Sequence, residues 1–132
     1  VKVQRRRHPR LAISLPISIE CLTAGQNLLR TGVVDNLSEG GVSLHIGDAL
    51  SPHQIADWQH RFVPGTTLRL RLNLPNLPSH LLARVCAAET MVVRGGLALR
   101  LGCAFLSPAL NEQEAILRYI AHLQNRELED DV

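Results

Sequence analysis

Apolar residues occupy six successive odd positions near the start of the chain: Leu11, Ile13, Leu15, Ile17, Ile19 and Cys21. Successive side chains of a strand point to opposite faces, so a period of two specifies a sheet with one buried face. The pattern returns at Val42, Leu44 and Ile46, and at Leu68, Leu70 and Leu72, with Arg69 and Arg71 between them. It returns again at Leu81, Ala83, Val85 and Ala87, where Val92 extends the strand past a loop, and at Leu97, Leu99, Leu101, Cys103 and Phe105. A further strand is predicted from Leu28 to Asp35. Pro16 falls on the outer face of the first strand, which predicts an edge or a bulge there. Turns are predicted at Ala24–Asn27, Asn36–Gly41, Pro75–Pro78 and Gly95–Gly96 from their Gly, Pro, Asn and Ser content.

Two segments depart from this period. Ser51-Pro52 carries the cap and first-turn proline of a short helix to about Arg61, with Ile55 and Trp58 on one face. Pro64-Gly65 ends it. Near the C-terminus Asn111 and Glu114 have the spacing of a capping box, and Ile116, Leu117, Ile120 and Leu123 follow at helical spacing. A terminal amphipathic helix is predicted over 111–127. Trp58 and Tyr119 read as core or interface residues of these helices. Six or seven short strands in succession, followed by one helix, argue for an antiparallel sheet, and closing that sheet into a barrel removes its edges.

A chain of 132 residues is long enough to bury a core without staples. At 45% hydrophobic and 20% charged residues it has an ordinary globular composition. No apolar run approaches the ~18 residues that cross a bilayer, and the basic start leads into alternation rather than the apolar block of a signal peptide. Cys21, Cys86 and Cys103 are odd in number and widely spaced. They fit neither a disulfide framework nor a zinc site and are expected to be buried free thiols, in keeping with a reducing cytosol. The six histidines show no ligand spacing, and His53 and His60 read as surface residues. Ser38 lacks a nucleophile-elbow context, and no paired carboxylates stand out. The chain is therefore not expected to be an enzyme, to bind a metal or to need a cofactor.

The net charge of +2 hides an asymmetry. The first ten residues hold Lys2, Arg5, Arg6, Arg7 and Arg10 with no acid, while the tail carries Glu127, Glu129, Asp130 and Asp131. Pro9 prevents a regular helix through Arg5-Arg6-Arg7-His8-Pro9-Arg10 and biases His8 toward extended geometry. Arginine offers a planar fork that pairs with phosphate or with the O6 and N7 edge of guanine, and a flat face that stacks on a base. Alone, the segment reads as a solvated basic tail or a membrane-proximal basic patch. Asn36-Leu37-Ser38-Glu39-Gly40-Gly41 combines short hydrogen-bonding side chains with two glycines, Gly40 and Gly41, that permit a sharp turn and close approach to a ligand. Alone, it reads as an ordinary β-turn.

Taken together, Arg6-x-x-x-Arg10 before the first strand and Asn36-x-Ser38-x-x-Gly41 after the second resemble the PilZ family. The resemblance spans nearly the whole chain and includes Gly102-Cys103-Ala104-Phe105 and the terminal helix. It implies an all-β fold with a terminal helix: a six-stranded antiparallel β-barrel with a C-terminal helix and a short helix near 52–61. It divides the chain into a ligand-clamp segment at 1–10 and a barrel with helix at 11–132. It implies a cytoplasmic receptor for the bacterial second messenger cyclic di-GMP, with outputs in motility, biofilm or exopolysaccharide control. By the same resemblance, Arg6 and Arg10 clamp one guanine and the phosphates, Asn36 and Ser38 hydrogen-bond another part of the ligand, and Gly41 permits the close turn. Arg5 goes with binding of two intercalated ligand molecules, and Arg7 helps on phosphate. Arg61 to Thr66, Asn73-Leu74-Pro75 and the Arg118–Arg126 stretch resemble the C-terminal half of two-domain flagellar-brake proteins, with Val1 to Gln4 as hinge. The effector partner and the oligomeric state are left open.

Two other readings stand beside this one. A nucleic-acid-binding barrel would use the arginines on phosphates, but such domains stack bases on aromatics, and this chain has four aromatic residues with only Phe105 near the motifs. A PilZ-like adaptor that binds only protein would tend to lose the arginines that this chain retains.

Overall fold

The computed structural model describes residues 11–22, 28–72, 74 and 80–130. The arginine segment at 1–10 and the predicted turns at 24–27 and 75–78 lie outside the described residues. Six strands are present: β1 (Leu11–Cys21), β2 (Leu28–Leu37), β3 (Gly41–Leu50), β4 (Thr67–Leu72), β5 (Leu81–Val93) and β6 (Gly96–Phe105). Helix α1 (Pro52–Arg61) joins β3 to β4, and α2 (Leu110–Asp130) follows β6. The strands close into a barrel in the order β1-β2-β3-β6-β5-β4, every neighbouring pair antiparallel.

The apolar alternation explains the interior. Ile17, Ile19, Val34, Leu44, Ile46, Leu68, Leu70, Leu81, Leu99 and Leu101 all point inward and are buried. Each such side chain contributes about 1.5–3 kcal/mol on burial. Pairing of β1 with β2 shifts register between Ala12 and Leu15, and pairing of β1 with β4 begins only at Ile17. Pro16, which has no amide hydrogen to donate, thus sits outside the β4 ladder, as its outer-face position predicts.

Helix α1 starts on a complete capping box. The Ser51 hydroxyl accepts from the Gln54 amide at 3.2 Å, and the Gln54 side chain accepts from the Ser51 amide at 2.9 Å. Its buried face carries Ile55, followed at the C-cap by Phe62, and packs on β6, β3 and β5. Trp58 packs partly against the core, and the Arg30 guanidinium lies over its ring, 5.5 Å from the centroid. No helix among the described residues is long and apolar enough to cross a membrane.

The structure corrects several expectations. Strand β2 runs to Leu37 and β3 begins at Gly41, so the turn between them is only Ser38-Glu39-Gly40. Leu37 is fully buried, and burying it extends the strand past the residues that looked like a turn. Strand β5 is continuous to Val93, with a bulge between Val85 and Ala87 in place of a loop. That bulge turns Ala87 outward and Ala88 inward, against the simple alternation. Helix α2 starts one residue earlier than predicted: Glu112, not Glu114, reaches back to the Ala109 amide at 2.7 Å. On α2 the buried stripe is Ala115, Ile116 and Ile120, with Tyr119 partly covered, whereas Leu117 is 43% exposed. At about 100° per residue, Leu117 falls off the side of the stripe that Ile116 and Ile120 define.

Candidate functional site

An open pocket of about 300 Å³ lies on the outside of the barrel, across β2, β3, β6 and β5. Its first wall is the β2–β3 connection, from Asn36 and Ser38 through Gly40 and Gly41 to Ser43. Its floor is Gly102, Cys103 and Ala104 of β6, and Cys86 of β5 closes the far side. The strand register explains the gathering. Asn36 pairs with Ser43, Ser43 with Gly102, and Gly102 with Ala87, so one row across four strands carries only small or neutral polar residues.

Two bulges set the ends of that row. The first, between Val34 and Asn36, adds Asp35 to β2. Asp35 accepts from or pairs with His45 across the ladder, with Oδ1 to Nδ1 at 2.8 Å, which leaves Asn36 directed to the pocket. The second bulge adds Cys86 to β5, where Sγ lies 3.7 Å from the Arg84 carbonyl. A bulge bends its strand and re-aims a side chain, here two of them into one depression.

The Ser38 turn is fastened at three points. Ser38 donates its amide to the Gly41 carbonyl at 2.9 Å and its hydroxyl to the same oxygen at 3.3 Å. The Phe105 amide donates to the Gly40 carbonyl at 2.9 Å and ties the turn to β6. With its hydrogen committed to Gly41, the Ser38 hydroxyl presents lone pairs as an acceptor. Gly41 is required for a different reason than a turn. Its φ is outside the left-handed region, but a Cβ there would sit 2.1 Å from the Cys103 carbonyl oxygen. Gly102 is the reverse case: a Cβ would meet only the Ala87 methyl at 3.9 Å, so the floor is open above it.

The pocket's walls are uncharged. They offer the Asn36 amide, the Ser38 and Ser43 hydroxyls and the exposed Cys86 thiol as hydrogen-bonding groups. Burial, and to a lesser degree nearby Cys86, pushes the Cys103 thiol from an ordinary 9.0 up to about 12, so it stays protonated and inert. Among the described residues no group of three or more His, Cys, Asp or Glu could hold a metal ion.

Four of the predicted site residues, Asn36, Ser38, Gly40 and Gly41, are therefore brought together in one pocket. Arg5, Arg6, Arg7 and Arg10 lie outside the described residues. Sequence reasoning missed Ser43, Cys86, Gly102 and Ala104. Cys86 was expected to be buried and is exposed: it directly follows inward-facing Val85, so the alternation of β5 itself puts it on the outer face; Cys21 and Cys103 are buried as expected. The parity of β3 and β6 carried a signal for the others: Ser43, Gly102 and Ala104 are the small residues between inward Val42, Leu44, Leu101 and Cys103.

A closed antiparallel barrel thus carries an open, uncharged pocket on its outer wall. The family model of the PilZ domain matches residues 4–122. The chain belongs to the PilZ domain family. Solved structures with the same fold include the PilZ domain with c-di-GMP of YcgR from Escherichia coli, at TM-score 0.71 and 20% identity over 98% of this chain and 100% of that one. The Bacillus subtilis inhibitor of motility MotI/DgrA matches at TM-score 0.66 and 23% identity, over 94% of this chain and 53% of that one. The K. pneumonia MrkH–c-di-GMP complex matches at TM-score 0.69 and 15% identity, over 97% and 56%. The chain thus spans about half the length of the last two. A comparison with curated protein sequences finds no match.

Proposed function

We propose that this domain is a receptor for cyclic di-GMP, which it holds in the outer pocket between the β2–β3 connection and β6. The observation that carries the reading is the convergence of Asn36, Ser38, Gly40 and Gly41 on one uncharged pocket of a PilZ-family barrel. The pocket supplies an acceptor at Ser38 and an amide at Asn36, which suit the donor and acceptor edges of guanine. It supplies no positive charge, so the phosphates need cations from elsewhere. Arg6 and Arg10 supply them in this reading, with Arg5 and Arg7 in support, and one of the guanidinium planes stacks on a base.

The energetics suit a switch. A charge-assisted hydrogen bond is worth about 1.5–3 kcal/mol net. Fixing the backbone from Arg6 to Arg10 costs about 1–2 kcal/mol per residue, so several such bonds are largely offset by ordering. Ligand binding then reorganises the N-terminal segment over the barrel and changes the surface, or the interdomain angle, that a partner reads. The outputs of such a receptor are motility, biofilm or exopolysaccharide, and its compartment is the cytoplasm.

Two measurements test this. Calorimetry should show that Arg6→Ala and Arg10→Ala each weaken cyclic di-GMP binding at least tenfold; unchanged binding in both sinks the clamp assignment. Exposed Cys86 lines the pocket while Cys21 and Cys103 are buried, so a maleimide should label Cys86 alone and saturating ligand should protect it.

A further inference from the structure

Asn36 lines the pocket, yet among the described residues its side chain makes no hydrogen bond. Its aim is set by its backbone, and that backbone belongs to a bulge. Between Val34 and Leu37, both inward and fully buried, stand two residues, Asp35 and Asn36, opposite the single residue Ser43. The ladder pairs Asn36 with Ser43 and leaves Asp35 as the extra residue. In a second arrangement Asp35 would pair with Ser43 and Asn36 would be the extra residue. Val34 opposite Leu44 and Leu37 opposite Val42 keep their places in both, so burial of the core does not choose between them. Strand β1 adds little constraint, because its own ladder with β2 shifts register at the same place, between Ala12 and Leu15.

The contact between Asp35 and His45 does choose. His45 Nδ1 lies 2.8 Å from Asp35 Oδ1. An ionised carboxylate only accepts, so Nδ1 carries the hydrogen and donates it. Both side chains are largely covered, at 23% exposure for His45 and 26% for Asp35. In the ladder His45 stands opposite Val33 of β2 and Arg100 of β6, and neither offers its ring an acceptor side chain. The bond therefore runs along the diagonal of the ladder and draws Asp35 toward His45, away from Ser43. Its hold on stability is small. Asp35 Oδ2 is buried with no hydrogen-bond partner, and a bare buried oxygen offsets part of what the bond to His45 contributes. What the pair supplies is register.

We infer that Asp35 and His45 are positioning residues: their bond selects the bulge register that turns Asn36, and not Asp35, into the pocket. They thereby set ligand affinity, although neither lines the pocket. The inference rests on the receptor reading above. Its chemical logic is charge. In the other register a carboxylate faces the pocket in place of a neutral amide. A cyclic dinucleotide carries phosphates, which a carboxylate repels and an amide does not. A guanine edge that meets both a donor and an acceptor on an amide would meet acceptors only on a carboxylate. His45 therefore keeps the negative charge of β2 out of an otherwise uncharged pocket.

The test joins binding, stability and local structure. Cyclic di-GMP is titrated by calorimetry into the wild-type chain, His45→Ala, Asp35→Asn and Asp35→Asn/His45→Ala, with a thermal melt of each. His45→Ala leaves Asp35 charged and unpinned, so binding should weaken about tenfold while the melting temperature stays within about 3 °C of wild type. Asp35→Asn/His45→Ala presents an asparagine to the pocket in either register, so it should recover binding to within about threefold of wild type, as should Asp35→Asn alone. In NMR spectra of the ligand-free chain, Ser43 should show cross-strand contacts to residue 36 in the wild type and to residue 35 as well in His45→Ala. Unchanged binding in His45→Ala overturns the inference, as does a double variant no better than His45→Ala. So does a loss of binding that follows a loss of melting temperature, since the pair is then structural only. A wild type that binds no cyclic di-GMP removes the receptor reading; the NMR comparison then stands alone, and unchanged Ser43 contacts in His45→Ala overturn the register selection too.

Discussion

Gly41 and Gly102 border the same pocket on the paired strands β3 and β6, yet a methyl group should act on them in opposite directions. In Gly41→Ala the new Cβ would lie 2.1 Å from the Cys103 carbonyl oxygen, 3.2 Å from its carbon and 3.3 Å from the Ala104 Cα. All three are backbone atoms, so no rotamer change relieves the clash. Strands β3 and β6 must separate by about an ångström at this point, weakening one or two ladder hydrogen bonds at about 1 kcal/mol each. Residual overpacking adds about 1–2 kcal/mol. The total is about 2–4 kcal/mol, or a melting temperature lower by about 8–16 °C for a domain of this size. In Gly102→Ala the Cβ meets only a methyl group at ordinary contact distance. Replacing a strand glycine there should leave stability unchanged or raise it by about 0.5–1 kcal/mol. Urea and thermal unfolding of both variants decide the matter. If Gly41→Ala melts with the wild type, or if Gly102→Ala loses as much as Gly41→Ala, the role given to close strand approach is wrong.

Two further outcomes follow from burial. Because the Cys103 thiol is pushed up to about 12, the unfolded chain ionises first as pH rises. Stability is therefore complete below the ordinary thiol value and is lost as pH climbs from 9.0 toward about 12, by at most about 1.4 kcal/mol per pH unit. Urea midpoints taken at about pH 8 and about pH 10.5 should differ less in Cys103→Ala than in the wild type, and equal differences would refute the assignment. On α2, Ile116→Ala should cost about 2–4 kcal/mol and Leu117→Ala less than about 0.5 kcal/mol, read by denaturant unfolding; equal costs would mean that the helix packs on a different face.

The barrel was legible in the sequence because each strand buries one face, and burial writes itself into every second residue. The bulges were not. An extra residue at Asp35 or Cys86 exists only relative to the partner strand, and neither residue looks unusual in its own segment. That is why Ala87, which the alternation places inward, lies outward. At the site, Asn36, Ser38, Gly40 and Gly41 announced themselves as a compact polar stretch. Gly102 and Ala104 did not, since they reach the pocket through the pairing of β6 with β3. The true start of α2 was hidden because Ala109 at its cap has no side-chain acceptor, and only Glu112 marks it.

The two bulges have a consequence for how such a domain can diversify. Remove Asp35 from the register and Val34 still pairs with Leu44 while Asn36 still pairs with Ser43; remove Cys86 and Val85 still pairs with Cys103 while Ala87 still pairs with Gly102. Each is a spliced-in residue whose gain or loss leaves every inward side chain where it was. Single-residue insertions elsewhere in these strands would turn the interior inside out. Evolution can therefore edit the length of this chain at the rim of the pocket without renegotiating its core, and ligand preference can drift there one residue at a time.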